Sequence, residues 1–160
     1  MTQFKYSETF TFKVPSVKID KSALKKERVA AKTKLIKAHQ AGMNAVERSL
    51  GSALKGAMKS NWAWPRGGSR DIVETGKLMN SQRLIVKHSQ TKSVLSVQYS
   101  SPYAALMYYG GMIQPYGNRN AASVLIPGRP WVEAVINGTH GQTKFDLASP
   151  YNAAFKNAYK

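Results

Sequence analysis

The chain has no cysteine in its 160 residues, which excludes disulfides and thiolate metal sites. Acidic residues are scarce: eight Asp and Glu stand against 24 Lys and Arg, a formal net charge of +16. So few carboxylates leave little material for metal-assisted hydrolysis, which gathers several acids around an ion. Long apolar runs are missing as well, and none approaches the ~20 residues that span a bilayer, so no membrane partner is expected. The opening Met-Thr-Gln-Phe-Lys-Tyr has no apolar signal-peptide core, and the expected setting is the cytoplasm or a particle assembled there. His39, His88 and His140 lie far apart, with no His-x-x-x-His spacing for a metal. There is no Gly-x-x-x-x-Gly-Lys loop and no Gly-x-Ser-x-Gly elbow. Asp71, Glu74 and Lys77 have the composition of some nuclease sites, but acids this close on a loop are ordinary. The expectation is a protein without catalytic chemistry and without a cofactor.

What is present is a hydrophobic fraction of 42%, enough for a modest core in one domain over residues 1–160. Residues 4–14 alternate: Phe4, Tyr6, Phe10, Phe12 and Val14 share one side, Glu8 being the lapse. That predicts a strand over 1–15 with one buried face, serving as an edge strand or as an arm pairing with a neighbouring subunit. Residues 20–60 repeat apolar positions near 3.6 (Leu24, Val29, Leu35, Ile36, His39, Met43, Val46, Leu50, Leu54, Met58) and predict a long helix, with a break or bend near Gly42. Its first half is crowded with lysine on several sides, so that part is expected to be only partly packed.

Residues 61–75 read as a loop carrying Trp62, Trp64, Arg66 and Arg70. Aromatics beside arginines suit a protein interface or single-stranded nucleic acid. Residues 83–100 alternate on either side of Ser89–Lys92 and predict a hairpin. Ser101-Pro102 resembles a helix start with Tyr103, Leu106 and Met107 on the packed side, ended by a left-handed cap at Gly110-Gly111. Residues 112–123 form a polar loop with Gln114, Tyr116 and Arg119, and Val124–Ile126 returns to the sheet. Pro130 is placed in the first turn of a second short helix, with Glu133 near its N-terminus and Gly138 closing it. Residues 139–160 form a polar tail with a helix from Ser149-Pro150 carrying Tyr151, Phe155 and Tyr159. The fold class is therefore α+β: a long N-terminal helix packed on a small, mostly antiparallel β-sheet with short helices, the sheet core lying in 76–138.

Three motifs stand in order: Thr75-Gly76-x-Leu78-x-x-Ser81, then Tyr103-Ala104 with Gly110, then Pro127-x-Arg129-Pro130-Trp131. Together they resemble the phage neck and tail-completion family typified by the head-tail component of phage HK97. The last motif is also similar to the virion morphogenesis proteins of Mu-like phages. The resemblance covers roughly residues 45–138. That family often carries an acid shortly before the helix-ending glycine, where this chain reads Met107-Tyr108-Tyr109. The resemblance implies a structural virion protein whose copies form a ring, six rather than twelve. Its partners would be portal-connector and tail proteins, with genomic DNA in the channel. Trp62, Trp64, Arg66, Arg70, Gln114, Tyr116 and Arg119 are the expected interface residues; Arg129 and Trp131 are expected to fix the fold locally. The alternative is a free basic nucleic-acid-binding protein, since a charge of +16 attracts polyanions.

Overall fold

In the computed structural model the described residues are 6–16, 25–60, 76–114 and 122–160. They form an α+β fold in the order β1 (Tyr6–Lys13), α1 (Lys25–Lys59), α2 (Lys77–Asn80), β2 (Gln82–His88), β3 (Lys92–Tyr99), α3 (Ala104–Tyr109), β4 (Gly110–Ile113), β5 (Val124–Pro127), α4 (Trp131–Asn137) and α5 (Ala148–Tyr159). One sheet has the order β1-β3-β2, and β4 and β5 form a second, two-stranded sheet.

The alternation in the sequence carries through to burial. Thr9, Thr11 and Lys13 are exposed while Phe10, Phe12 and Val14 are half-buried, and β1 occupies an edge of its own sheet. Strands β2 and β3 meet across a tight turn in which the Ser89 N–H donates to the Lys92 carbonyl at 2.8 Å. So short a connection obliges antiparallel pairing. Leu95, Val97 and Tyr99 of β3 are fully buried, as a central strand requires.

The described residues group into two compact units. One holds Thr9–Gly51, Leu84–Val97 and Asp146–Lys160, and buries Leu35, Ala38, His39, Met43, Val46 and Leu50 on one stripe of α1. Helix α5 docks on that helix through Tyr151. A Cβ on Gly42 would lie 2.7 Å from the Tyr151 ring, so Gly42 marks a close helix contact. The break expected there does not occur, and α1 runs through it unbroken. Tertiary contact outweighs the ~1 kcal/mol that glycine costs inside a helix. Val29, expected on the packed stripe, is 58% exposed, because the apolar face of α1 becomes buried only from Leu35 onward.

The other unit holds the end of α1 from Ser52, α2, and Gln98–Phe145. Its core is Leu54, Ala57, Met58, Leu78, Tyr99, Ala104, Tyr108, Trp131, Val132, Ala134 and Val135. The three motifs converge here, and the candidate site is built on this unit.

Candidate assembly surface

Trp131 is the centre. Its indole is fully buried and meets two phenol rings edge to face: Tyr99 at 5.2 Å and 83°, and Tyr108 at 5.0 Å and 86°. Such pairs set the positive edge of one ring on the negative face of the next. The Tyr99 hydroxyl donates to Gln82 Oε1 at 3.0 Å, and burial pushes its pKa far upward, which keeps the phenol neutral. The Tyr108 hydroxyl accepts from the Glu133 backbone N–H at 3.3 Å. That N–H belongs to the first turn of α4, where no intrahelical partner exists. Helix α3 thus caps helix α4 through an aromatic side chain.

Several motif positions have a visible cause. Gly76 takes a positive φ (67°) just before α2, a conformation that glycine adopts without strain. Leu78 is buried, and the Ser81 hydroxyl donates to the Leu78 carbonyl at 2.7 Å, closing that turn. Ala104 is fully buried at the start of α3. The packed side of α3 is not the expected one. Ala104 and Tyr108 face inward, four apart, whereas Tyr103 is 61% exposed and Leu106 and Met107 are half-buried. Helix α3 begins at Ala104 with Tyr103 at its N-cap, so the helix starts later than Ser101-Pro102 suggests and its stripe rotates. Gly110 has positive φ (78°) but extended ψ (174°), so it does not make a left-handed cap and instead opens β4.

Pro130 also departs from expectation. It precedes α4 as N-cap, with φ −77° and ψ 66°, and the Trp131 N–H donates to the Arg129 carbonyl at 2.8 Å. This is an inverse γ-turn, for which the fixed φ of proline is already suited. It aims Trp131 into the core. Gly138 closes α4 in the left-handed conformation. Arg129 is buried, and its backbone N–H donates to the Met107 carbonyl at 2.9 Å.

The β4–β5 ribbon springs from this block. It pairs antiparallel, Gly110 with Pro127, Gly111 with Ile126, Met112 with Leu125 and Ile113 with Val124. Met112 and Leu125 are therefore direct cross-strand neighbours on one face, and they are 62% and 66% exposed. Val124, on the opposite face, is 45% exposed, and Tyr109, at the end of α3, is 72% exposed. Directly paired large apolar side chains left in water are unusual on a single subunit.

Of the residues expected at an interface, Gln114 lies exposed at the end of β4. Trp62, Trp64, Arg66, Arg70, Tyr116 and Arg119 lie outside the described residues. The exposed pair Met112 and Leu125 was not among the expected interface positions. The signal for it was Val124-Leu125-Ile126: a two-stranded ribbon cannot bury three consecutive apolar residues, because successive side chains face opposite sides.

In the other unit a cavity of about 420 Å³ is lined by residues that include Phe12, Lys13, His39, Leu147 and Tyr151. His39 Nδ1 lies 2.8 Å from the Tyr151 hydroxyl, with the rings edge to face. Burial lowers the His39 pKa below its ordinary value of 6.5, and the charge of nearby His88 adds to the shift. The unfolded imidazole then takes up a proton below about 6.5 while the buried one stays neutral, so stability falls as pH drops from there towards the depressed folded value. Urea midpoints at pH 7.5 and 5.5 should drop more for the wild type than for His39→Leu; equal drops would assign the acid sensitivity to other groups. Among the described residues no cluster of three or more His, Asp and Glu is placed to hold a metal ion, and no helix is long and apolar enough to cross a membrane. No protein-family model matches the chain, and neither the curated proteins nor the solved structures include a match.

Proposed function

We propose that this chain is a structural virion protein of the phage neck, whose copies form a ring joining the portal connector to the tail around the DNA channel. Its work is the burial of surface between subunits and involves no chemical step. One observation carries the reading: the exposed, directly paired Met112 and Leu125 on the β4–β5 ribbon. A two-stranded ribbon is marginal on its own, and an apolar face of this kind gains stability when a neighbour covers it. Helix α3, which carries Tyr108 of the aromatic block, contacts both strands of the ribbon. The order of the three sequence motifs supports the same assignment; a closed ring needs two different patches on each copy, and the ribbon would serve as one.

The test is assembly. Copy number per particle is measured by quantitative mass spectrometry of virions, and six or twelve copies per portal ring is the expected result. Met112→Lys with Leu125→Lys should give a folded subunit, with an unchanged circular dichroism spectrum, that is lost from particles by at least about tenfold, since two charges buried at an interface without partners cost several kcal/mol. Incorporation of the double variant at wild-type level would remove the ribbon from the interface, and absence of the wild-type chain from particles would overturn the neck assignment.

A further inference from the structure

The N-terminal turns of α1 lie outside the packed core. From Lys25 to Lys34 every described side chain is exposed or half-buried, and Leu35 is the first buried one. Ten residues, nearly three turns, thus precede the packed part of the helix. Lys25, Lys26, Arg28, Lys32 and Lys34 lie in this stretch, Lys37 follows one turn later, and Glu27 is the single acid. At 100° per residue, Lys25, Arg28 and Lys32 fall on the same stripe that farther along carries the buried Met43, Val46 and Leu50. Lys26, Lys34 and Lys37 fall on the other side.

This is not the composition of an ordinary solvated helix face. Such faces carry both signs, with acids four residues before bases. Here Arg28 and Lys32 are four apart, and Lys25 and Arg28 three apart, so like charges repel along the helix. Lys34 is tethered: its Nζ donates to the Lys160 carbonyl at 2.8 Å and sits 5.5 Å from the centre of the Tyr159 ring. Helix α5 thus holds the point at which the packed part of α1 begins, and the turns before it run on with charge on several sides.

We propose that these turns, Lys25 to Lys37, bind the phosphate backbone of duplex DNA without reading its sequence. The inference stands independently of the neck assignment. A lattice of phosphates accepts cations at many angles, which suits charge spread around a helix better than a registered protein patch does. Protein interfaces are depleted in lysine, and this segment holds five lysines and one arginine. It has no aromatic residue on which an unpaired base could stack, which separates it from single-strand binders. Phosphate contact relieves the repulsion within the helix, so binding and helix order rise together. One copy binds weakly, in the non-specific range.

The probe is a fluorescein-labelled 20-base-pair duplex, titrated with the full chain by anisotropy at 50 and 200 mM NaCl. Expected is binding that weakens steeply with salt, with a logarithmic slope near 0.9 per phosphate contact. Lys25→Gln with Lys26→Gln and Lys32→Gln removes three charges while keeping good helix formers. It should weaken binding at least tenfold at 50 mM and make the slope shallower by about two to three units. The control Lys77→Gln with Lys92→Gln and Lys144→Gln removes the same charge elsewhere and should change affinity less than threefold. Equal losses in the two variants would overturn the site, since net charge alone would then explain binding. Poly-glutamate binding as tightly as the duplex would overturn it in favour of an acidic protein partner. A single-stranded 20-mer binding more tightly than the duplex, or no salt-dependent binding at all, would overturn it as well.

Discussion

Trp131→Ala should cost the unit that carries the ribbon about 3–5 kcal/mol, the range for removing a fully buried large aromatic. The indole does more than fill space. It is the shared partner of Tyr99 and Tyr108, both edge-to-face, and Tyr108 in turn caps α4 through the Glu133 N–H. Removing the indole leaves two phenol rings without their common contact and frees Tyr108 to swing away from the helix end, so cavity and capping losses combine. Against a typical stability of about 5–15 kcal/mol, this is a large share of the total. Urea denaturation followed by far-ultraviolet circular dichroism reads it directly. Trp131→Phe, which keeps one ring in place, should lose about half as much. If Trp131→Ala lost less than about 1 kcal/mol, the aromatic block would not be the base of the ribbon, and the exposed face of β4–β5 would have no rigid support to present it.

The legible part of this fold is the part written in periodicity and punctuation. Alternation in residues 6–14 and 83–99 gave the strands because β1, β2 and β3 each have one better-buried side, and Ser89–Lys92 gave their turn through local hydrogen bonds. Gly76 and Gly138 announced positive φ, since few other residues adopt it without strain. Where the sequence misled, a distant contact decided. Gly42 reads as a helix breaker until Tyr151, more than a hundred residues away, is placed against it. Tyr103 looks like a core residue by spacing, but the contact of Trp131 with Tyr108 fixes which side of α3 turns inward. Pro130 reads as a first-turn proline because local chemistry permits that, and only the Arg129–Trp131 hydrogen bond distinguishes a γ-turn. The candidate surface was legible in kind and not in place. Arg129 and Trp131 read as fixing the fold locally, and both are buried; the apolar run Val124-Leu125-Ile126 signals an exposed side chain, but its pairing with Met112 depends on a strand register that no short-range signal specifies.

Gly110→Ala is the second substitution expected to have a large effect, about 3–5 kcal/mol. The chain passes from α3 into β4 at this residue with φ 78° and ψ 174°, a combination essentially confined to glycine and costing of order 1–3 kcal/mol for other residues. Space adds to conformation. A Cβ here would lie 2.5 Å from the Gly128 nitrogen and 2.7 Å from the Ile126 carbonyl oxygen; these are backbone atoms that no rotamer change can move away. Gly128 shows the reciprocal condition, its Cβ falling 2.6 Å from the Tyr109 carbonyl carbon and oxygen. The two glycines therefore form one crossing of two backbones, and either alanine alone pushes the strands apart. Once they are apart, the second alanine meets less obstruction, so Gly110→Ala with Gly128→Ala should cost less than the sum of the single variants by at least about 1 kcal/mol. Gly141→Ala calibrates the conformational part, because φ there is 76° and a methyl group at that position would have nothing within 4 Å; it should lose only about 1 kcal/mol. Additive losses at positions 110 and 128, measured by urea denaturation, would mean that the two backbones do not meet at this point. The pairing that sets Met112 beside Leu125 would then need another anchor.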